Sequence, residues 1–300
     1  MRLGARNSLL GLVTERTSGY SFYLEAKKML ELAKEDYPAL AARMEKLRDT
    51  VLARDSLVIN LTADQAALDQ VQPAVADFVA QLPETARHDP AAPHWRDAAP
   101  LLPRTDEGFA ITTQVNYVAA GSQLFSPGDE IDGAYYAVSR CLSRGFLWDN
   151  VRVVGGAYGG GCALNPATGG FAFSSYRDPN LQGTLDTYSR SASVLDELRA
   201  EISDEALEQA IVGAVGDLDA PLTSQAKGQR ALSHYLTGVT TETRQLFRDQ
   251  VLGTSRDSFS ALAERLRAAP INVAVFGSKE ALEAANTARG KEEQIQITQL

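Results

Sequence analysis

The segment Val151–Asn180 limits the folds open to this chain more than any other stretch. It joins an apolar run, which carries Arg152, to five glycines that surround Tyr158. Glycine has no Cβ atom, so another chain can approach such a backbone closely, and a strand can bend or bulge there. Glycine inside a strand also weakens it, so this density predicts either a close ligand contact or a bulged hairpin. The glycines concerned are Gly155, Gly156, Gly159, Gly160 and Gly161.

The spacing of these glycines excludes a phosphate-binding loop. No G-x-G-x-x-G pattern fits, and Gly161 and Cys162 stand where a P-loop requires Lys followed by Ser or Thr. The run Gly170–Tyr176 alternates apolar and polar residues, which predicts a strand. A loop at Asn165–Gly170 would join it to a first strand that carries Arg152. The glycines are therefore expected within or beside a hairpin.

A proline-rich stretch, Pro83–Pro103, separates two regions with regular hydrophobic patterns. It holds five of the twelve prolines, so we predict an extended linker over 83–105. The region before it, 1–82, is rich in helical patterns and has one apparent strand, which is too few for a sheet of its own. Its predicted elements are helices at about 20–34 and 38–52, a strand at Leu57–Leu61, and a helix from a capping box at Thr62–Gln65 to about Leu82.

The region 106–300 is predicted to be one complete α+β domain, with an antiparallel-rich mixed sheet packed under helices. Four segments are expected in a single sheet: a long strand at Phe109–Ala119, the Arg152 strand, the Phe171 strand and a closing strand at Ile271–Phe276. We expect the charged end, Arg289–Glu293, to be solvated. Helices are predicted at about 131–145, from Pro179 to about 195, at 204–216, 223–237, 241–252 and 255–268, and after Ser278.

Composition and charge restrict the kinds of molecule that this chain is expected to bind. The net charge is −9, which argues against nucleic acid, because phosphate binding needs a basic face; basic peptides would suit it better. No apolar run is long enough to span a membrane. With only two cysteines, Cys141 and Cys162, in apolar surroundings, we expect buried thiols in a reducing compartment. We expect that compartment to be the cytoplasm, or in a eukaryote the mitochondrial matrix or a plastid.

The histidines do not predict a metal site. His88, His94 and His234 belong to no H-x-x-E-H or H-E-x-x-H arrangement, and a catalytic zinc needs about three protein ligands. His88 and His94 flank a proline-rich stretch, and His234 falls on a predicted helix among apolar residues. We therefore predict no metal in this chain and no peptide hydrolysis by it alone.

Three blocks of sequence carry a family resemblance: GGAYGGG, FSSYRDPNLQGTLDTY and AKGQRALSHYLTGVT. They resemble the C-terminal half of presequence proteases, the falcilysin-like branch of the pitrilysin/insulinase zinc-peptidase superfamily. The resemblance is strong from about Phe109 to Asn286 and looser from the start to Leu82. It implies that 106–300 is the fourth, C-terminal domain of the family and that 1–82 is the last part of a third.

The resemblance also implies a function. In that family two halves close around a peptide, and the N-terminal half carries the zinc on an inverted motif. The C-terminal half supplies an arginine and a tyrosine, at positions that match Arg152 and Tyr158. The implied partners are the zinc-bearing half and peptide substrates, with self-association of this chain as a further prediction and neither nucleic acid nor membrane expected. The implied cofactor is zinc on the other half, and the implied substrate-binding glycines are Gly155, Gly156, Gly159 and Gly160.

The chemistry of the two predicted catalytic residues fits peptide hydrolysis. Tyr158 can donate a hydrogen bond to a developing oxyanion, and the planar fork of Arg152 suits a carbonyl or carboxylate. On an unbroken strand their Cα atoms would lie about 20 Å apart, so both could reach one bond only if the glycines curl the strand. The simpler alternatives are a strand-edge ion pair for Arg152 and a packed ring for Tyr158.

Two other classes of function remain open at this stage. The chain could be a non-catalytic scaffold or adaptor of the same superfamily, or an unrelated binding module. Presence of both Arg152 and Tyr158 favours the substrate-binding half, because a scaffold does not need them. Tyr176, Arg177, Asp178 and Asn180 are predicted to be structural, through capping and turn formation.

Overall fold

The computed structural model describes residues 1–85, 100–126 and 128–300. Contacts divide the chain into two compact units: the first comprises Met1–Gly19, Leu101–Asp219 and Gln245–Leu300, and the second Tyr20–Pro100 and Ala220–Arg244. The predicted linker lies largely outside the described residues, as do His88 and His94. The expected family-domain boundaries at 82 and 106 remain a prediction, since this grouping places the first nineteen residues with the larger unit.

The first unit is built on a mixed sheet of six strands in the order β3-β4-β2-β5-β1-β6. Strand β1 runs parallel to β5 and β6, and the remaining pairs are antiparallel. The predicted α+β class with an antiparallel-rich mixed sheet is confirmed. The strands are β1 Glu107–Ala110, β2 Asn116–Gln123, β3 Gly159–Leu164, β4 Gly170–Asp178, β5 Asn272–Gly277 and β6 Gln296–Gln299.

Twelve α-helices occur in the described part of the chain. Several begin at a Ser, Thr or Asp whose side chain accepts a hydrogen bond from the amide three residues later, as at Asp64, Ser203, Thr223 and Ser278. None is long and apolar enough to cross a membrane, among the residues described. The helices are α1 Gly4–Asn7, α2 Leu9–Ser18, α3 Tyr20–Glu35, α4 Tyr37–Val51, α5 Gln65–Ala80, α6 Ala134–Leu142, α7 Leu181–Glu201, α8 Asp204–Leu218, α9 Ser224–Thr237, α10 Thr241–Leu252, α11 Arg256–Ala268 and α12 Lys279–Thr287.

The main core lies between one face of the sheet and the helices α6, α7, α11 and α12. Phe171 and Phe173 alternate with exposed residues along β4 and point into this core. The ring of Tyr188 stacks on Phe173 at 4.9 Å. Because side chains alternate between the two faces of a strand, one side of β4 lies in the core. The other side of β4 faces away from this core.

The opposite face of the sheet is partly covered by the segment Met1–Ser18, a feature that the sequence patterns did not predict. Arg2 and Arg6 both form ion pairs with Glu107 on β1. Arg6 also donates to the Val273 carbonyl on β5 at 3.4 Å. Glu15, on α2, pairs with Arg2 at 3.3 Å. These buried and half-buried charges fix the segment over β1 and β5.

The prediction that Arg152 lies on a strand is wrong. Helix α6 continues into a twelve-residue π-helix, Ser143–Val154, which carries Arg152 near its end. Val151 is β-branched and locally favours a strand, but Leu147 and Val151 are buried from this helix against the core. Tertiary packing therefore overrides the local preference, which is weak for a short run. The strand expected there begins only at Gly159.

Two further strand predictions need correction. The expected long strand at Phe109–Ala119 is two strands, β1 and β2, which flank β5 on either side. Between them Thr113 Oγ1 donates to the Val115 carbonyl and accepts from the Val115 amide, which turns the chain. The segment Leu57–Leu61 forms no strand, and no ladder partner for it occurs among the described residues. A strand needs such a partner to satisfy its backbone.

Two details at element ends also differ from the sequence analysis. Helix α7 begins at Leu181 rather than at Pro179. The segment Arg289–Glu293 is not a freely solvated end, because Arg289 pairs with Asp106 and both side chains are largely buried. The chain beyond it returns to the sheet as β6, which pairs with β1.

Candidate functional site

Tyr158 occupies the turn between the π-helix and β3. Its side chain is 70% exposed, whereas its backbone is held in place. The Tyr158 amide donates to the Tyr176 carbonyl on β4 at 3.1 Å, and the two rings meet edge to face at 6.0 Å. The phenol is therefore presented to solvent on a fixed backbone, and the alternative of a packed ring with a satisfied hydroxyl does not describe a side chain this exposed.

Arg152 lies one turn earlier, at the end of the π-helix. Its guanidinium lies 4.0 Å from the centroid of the Trp148 ring, four residues earlier on the same helix. No ion pair to Arg152 is found among the residues that the structure describes. Such a cation–π contact at a half-exposed position is worth about 0.5–1 kcal/mol. It orients the side chain and leaves the N–H groups available to a ligand.

The helix also changes the separation expected for the two residues. The Gly156 amide donates to the Arg152 carbonyl at 2.9 Å, and the Ala157 amide donates to the Val151 carbonyl at 3.1 Å. These bonds fold the chain back against the helix end directly before Tyr158. The separation of about 20 Å that a strand would impose therefore does not apply. The backbone between the two residues is therefore a helix end and a turn, and not a curled strand.

A buried carboxylate fixes the neighbouring turn between β4 and α7. Asp178 is fully buried and accepts hydrogen bonds from Ser175 Oγ at 2.5 Å, Thr184 Oγ1 at 2.7 Å and the Asn180 amide at 2.8 Å. The Asn180 side chain then donates to the Gly155 carbonyl at 2.6 Å, at the end of the π-helix. Asp178 and Asn180 thus have the structural roles predicted from the sequence, and they tie β4 to the helix of Arg152.

Close packing accounts for two of the four glycines predicted to bind substrate, and backbone conformation accounts for a third. A Cβ atom at Gly155 would lie 2.6 Å from the Val151 carbonyl oxygen, and one at Gly160 would lie 2.9 Å from Val151 Cγ1. Gly156 has φ +79°, which only glycine adopts readily. Around Gly159 a Cβ would meet no atom within 4 Å. The substrate-binding role of all four stays a prediction, and Gly159 is the one without a packing reason.

A row of aromatic residues on the sheet face next to Tyr158 was not singled out as a site by the sequence analysis. Tyr176 meets Tyr158 at 6.0 Å and Tyr117 on β2 at 5.3 Å. Tyr117 is the register partner of Phe276 on β5, which stacks on Phe109 of β1 at 4.7 Å. The alternation along β4 predicts from the sequence which face of the sheet carries Tyr176. The order of the strands, which places the other aromatic residues beside it, depends on the tertiary structure.

Metal binding finds no support in the described part of the chain. Residues 1–85, 100–126 and 128–300 contain no group of three or more His, Cys, Asp or Glu side chains that could hold a metal ion. Both cysteines are free thiols. Burial raises the pKa of the Cys162 thiol and, less strongly, that of Cys141. A raised pKa disfavours the thiolate, so neither cysteine is suited to nucleophilic chemistry.

Comparison with known proteins agrees with the fold and the resemblance. The presequence protease 1 of Arabidopsis thaliana, described as chloroplastic/mitochondrial, is 38% identical over 292 residues, which are 96% of this chain and 26% of that protein. The mitochondrial presequence protease of Emericella nidulans is 28% identical over 254 residues, 83% of this chain and 24% of that protein. The chain thus spans about a quarter of the length of these relatives.

A solved structure and a family model complete the comparison. The crystal structure of a conserved protein from Enterococcus faecalis aligns with 72% of this chain and 50% of that chain, with a TM-score of 0.51 and 13% identity; at this identity the likeness concerns the fold alone. The model of the PreP C-terminal domain matches residues 106–275, more than half of the chain and all of the segment from β2 to α11. The chain therefore belongs to the presequence protease C-terminal domain family.

Proposed function

We propose that this chain is the substrate-binding C-terminal half of a zinc metalloendopeptidase that degrades short peptides in a closed chamber. The relatives that match it are presequence proteases roughly four times as long. The observation that carries the proposal is the presentation of Tyr158, whose side chain is 70% exposed on a backbone bonded to β4. Next to it Gly159 leaves open space in which a peptide could lie.

Tyr158 and Arg152 would act as donors to the peptide. When a peptide bond is hydrolysed, negative charge develops on the former carbonyl oxygen, and a preorganised donor aimed at that oxygen lowers the barrier. The phenol of Tyr158 would donate to it. Arg152, already oriented by Trp148, would hold a neighbouring carbonyl or carboxylate of the peptide with its planar fork.

Zinc belongs to the other half in this proposal. The described residues of this chain contain no ligand cluster for it, so we derive no step at the metal from this structure. When bound to the N-terminal half, zinc would supply an activated water. One observation favours the alternative of a non-catalytic scaffold: the stacking of Arg152 on Trp148 gives this arginine a purely structural reason to be present.

The test is a set of single variants in the chain reunited with its zinc-bearing half. Tyr158→Phe removes only an exposed hydroxyl and is expected to lower kcat by about 10²-fold or more, with little change in KM or Tm. Arg152→Lys keeps the charge but loses the fork, and turnover should also fall. Tyr176→Phe serves as the matched control and should be mild.

The outcome separates the two candidate functions. Wild-type kcat in both Tyr158→Phe and Arg152→Lys would exclude the transition-state role and leave the scaffold. The chain alone is expected to release no product from peptides. Hydrolysis by the chain alone that survives repurification, and that stops when a chelator is added, would contradict this division of labour between the halves.

A further inference from the structure

Three tyrosines, Tyr117, Tyr158 and Tyr176, lie on the open half of the sheet face beside Tyr158. We call this surface the tyrosine face. Tyr176 is central: its ring meets Tyr117 at 5.3 Å and Tyr158 at 6.0 Å, edge to face in both cases. Tyr176 is 47% exposed and Tyr158 70% exposed. The three rings therefore form a continuous aromatic surface from the turn before β3 across β4 to β2, with Tyr158 and Tyr176 open to solvent and Tyr117 half-buried.

The residues around these rings are small. Ala172 and Ser174 precede Tyr176 on the same side of β4 and are exposed, and Ala119 lies beside Ser174 on β2. Gly159 is the register partner of Tyr176 on β3, and a Cβ there would meet nothing within 4 Å. The side chains around the rings are therefore small, which leaves room for a bulky group to pack against the rings.

The other half of the same face shows how it binds a chain. There the segment Met1–Ser18 lies over β1 and β5, with the Arg2 guanidinium 6.0 Å from the Phe109 ring and charges paired to Glu107. Leu3 from this segment lies 3.6 Å from the position of a Cβ at Gly121 on β2. Over β1 and β5 the face thus packs against apolar side chains of a second segment, and the alternation of β4 presents its side chains on the same face.

The charges near the tyrosine face select against a basic group. The Arg177 guanidinium lies 5.5 Å from the Tyr176 ring, and Arg152 lies at the helix end that precedes Tyr158. Both are cations without an ion pair among the described residues. Arg177 would repel an incoming Lys or Arg side chain, and the three rings with their small neighbours offer an apolar contact, so a neutral aromatic or large apolar side chain fits the surface best.

We propose that the tyrosine face is a subsite for an aromatic or large apolar side chain of the peptide substrate, next to the bond that Tyr158 addresses. The proposal rests on the proposed function, because the position relative to the cleaved bond follows from the role of Tyr158. Tyr176 would determine specificity: it touches the substrate side chain and also carries the carbonyl that fixes Tyr158. Edge-to-face packing of a third ring on two tyrosines is the contact it offers.

The first test measures binding by the 300-residue chain itself. Acetyl-Ala-Phe-Ala-amide is expected to bind about tenfold more tightly than acetyl-Ala-Ala-Ala-amide, measured by NMR titration. Tyr176→Ala should abolish this preference and Tyr176→Phe should keep it. Tyr235, exposed on α9 in the second unit, gives the matched control Tyr235→Ala, which should behave as wild type. Equal affinity for the two peptides, or a preference that survives Tyr176→Ala, would overturn the proposal.

The second test separates this proposal from the proposed function. In the assembled protease, Tyr176→Ala is expected to lower kcat/KM about tenfold more for a peptide with Phe beside the cleaved bond than for its all-Ala counterpart. Tyr158→Phe should lower kcat for both peptides alike. A normal Tyr158→Phe with a lost preference in Tyr176→Ala would refute the catalytic role alone, and the reverse pattern would refute the subsite alone.

Discussion

The two halves of the sheet face opposite the main core are built alike and used differently. Over β1 and β5 the aromatic residue Phe109 is 1% exposed, with Arg2 over its ring. Over β4 and β3 the rings of Tyr176 and Tyr158 are open to solvent. The strand alternation that puts these residues on one face is the same. The two halves differ because the segment Met1–Ser18 lies over only one of them. The covered half therefore contributes stability, and the open half is free to contact a ligand.

The charged residues of the two halves also differ in whether they form ion pairs. On the covered half, Arg2 and Arg6 each pair with Glu107, since a buried charge without a partner is costly. On the open half, the Arg177 guanidinium lies 5.5 Å from the centroid of the Tyr176 ring, and Arg177 has no acidic partner in the described residues. Exposed cations can remain unpaired at little cost, and they stay available to a substrate.

The largest expected difference between the halves is in stability. Phe109→Ala should lower the free energy of unfolding by about 4 kcal/mol, because it removes a buried ring and leaves a cavity. Tyr176→Ala on the open half should cost less than about 1 kcal/mol, since an exposed side chain loses little on truncation. Urea unfolding of the two variants measures this. Similar losses for both would show that the tyrosine face is a packed surface and would remove the basis of the comparison.

A smaller loss is expected when the ion pairs of the covered half are broken. Glu107→Gln keeps the shape of the side chain but leaves the largely buried Arg6 with less compensation, at a cost of about 3 kcal/mol. Hydrogen exchange should show faster opening of α1 and α2 and of β1. The matched control is Glu283→Gln: Glu283 forms an exposed pair with Lys279 on α12, and such pairs contribute about 0–1 kcal/mol.

The same carboxylate predicts a dependence on pH. Burial opposes the ionisation of Glu107 and is the largest single influence, but the hydrogen bonds and charges of Arg2 and Arg6 together outweigh it and lower its pKa below 4.5. Its stabilising contribution is therefore present above pH 4.5 and is lost as the pH falls through the lowered pKa of the folded state. For Asp106 burial raises the pKa, despite its contact with Arg289, so Asp106 acts in the opposite direction.

Comparing wild type with Glu107→Gln isolates this contribution from that of Asp106. The difference in unfolding free energy between the two proteins should be constant above about pH 5 and shrink as the pH is lowered toward 3. Chemical denaturation across that range provides the measurement. A difference that grows on acidification would mean that Glu107 is not held as a carboxylate by Arg2 and Arg6.

The smallest effect concerns two neighbouring glycines of β3. Gly160→Ala should cost about 1–2 kcal/mol, because its Cβ would press on Val151 of the π-helix. Gly159→Ala should change stability by less than about 0.5 kcal/mol, since the space around it is open. If peptide lies against Gly159, activity of the assembled protease should nevertheless fall in Gly159→Ala. Unchanged activity there would leave the four glycines with structural roles alone.

Local chemistry in the sequence determined the hairpin and most of the helices. The turn at Asn165–Gly170 forms as predicted, because the Asn165 side chain accepts from the following amides and Gly169 adopts a positive φ. Helix periodicity and N-cap residues likewise located α3, α4 and α8 to α12 to within a few residues. The turn and the helices depend on residues that are close together in the chain, so the sequence alone is enough to predict their positions.

Tertiary structure alone decided how the candidate site is assembled. The β-branched run around Arg152 favours a strand locally, yet burial of Leu147 and Val151 against the core made it a π-helix. That exchange of strand for helix, with the turn at Gly156, removes the separation of the two residues that a strand would impose. The division of the opposite face also depends on contacts distant in sequence, such as Arg6 with Glu107. The sequence determined which residues can do chemistry, and packing between distant segments determined which of them meet and which stay exposed.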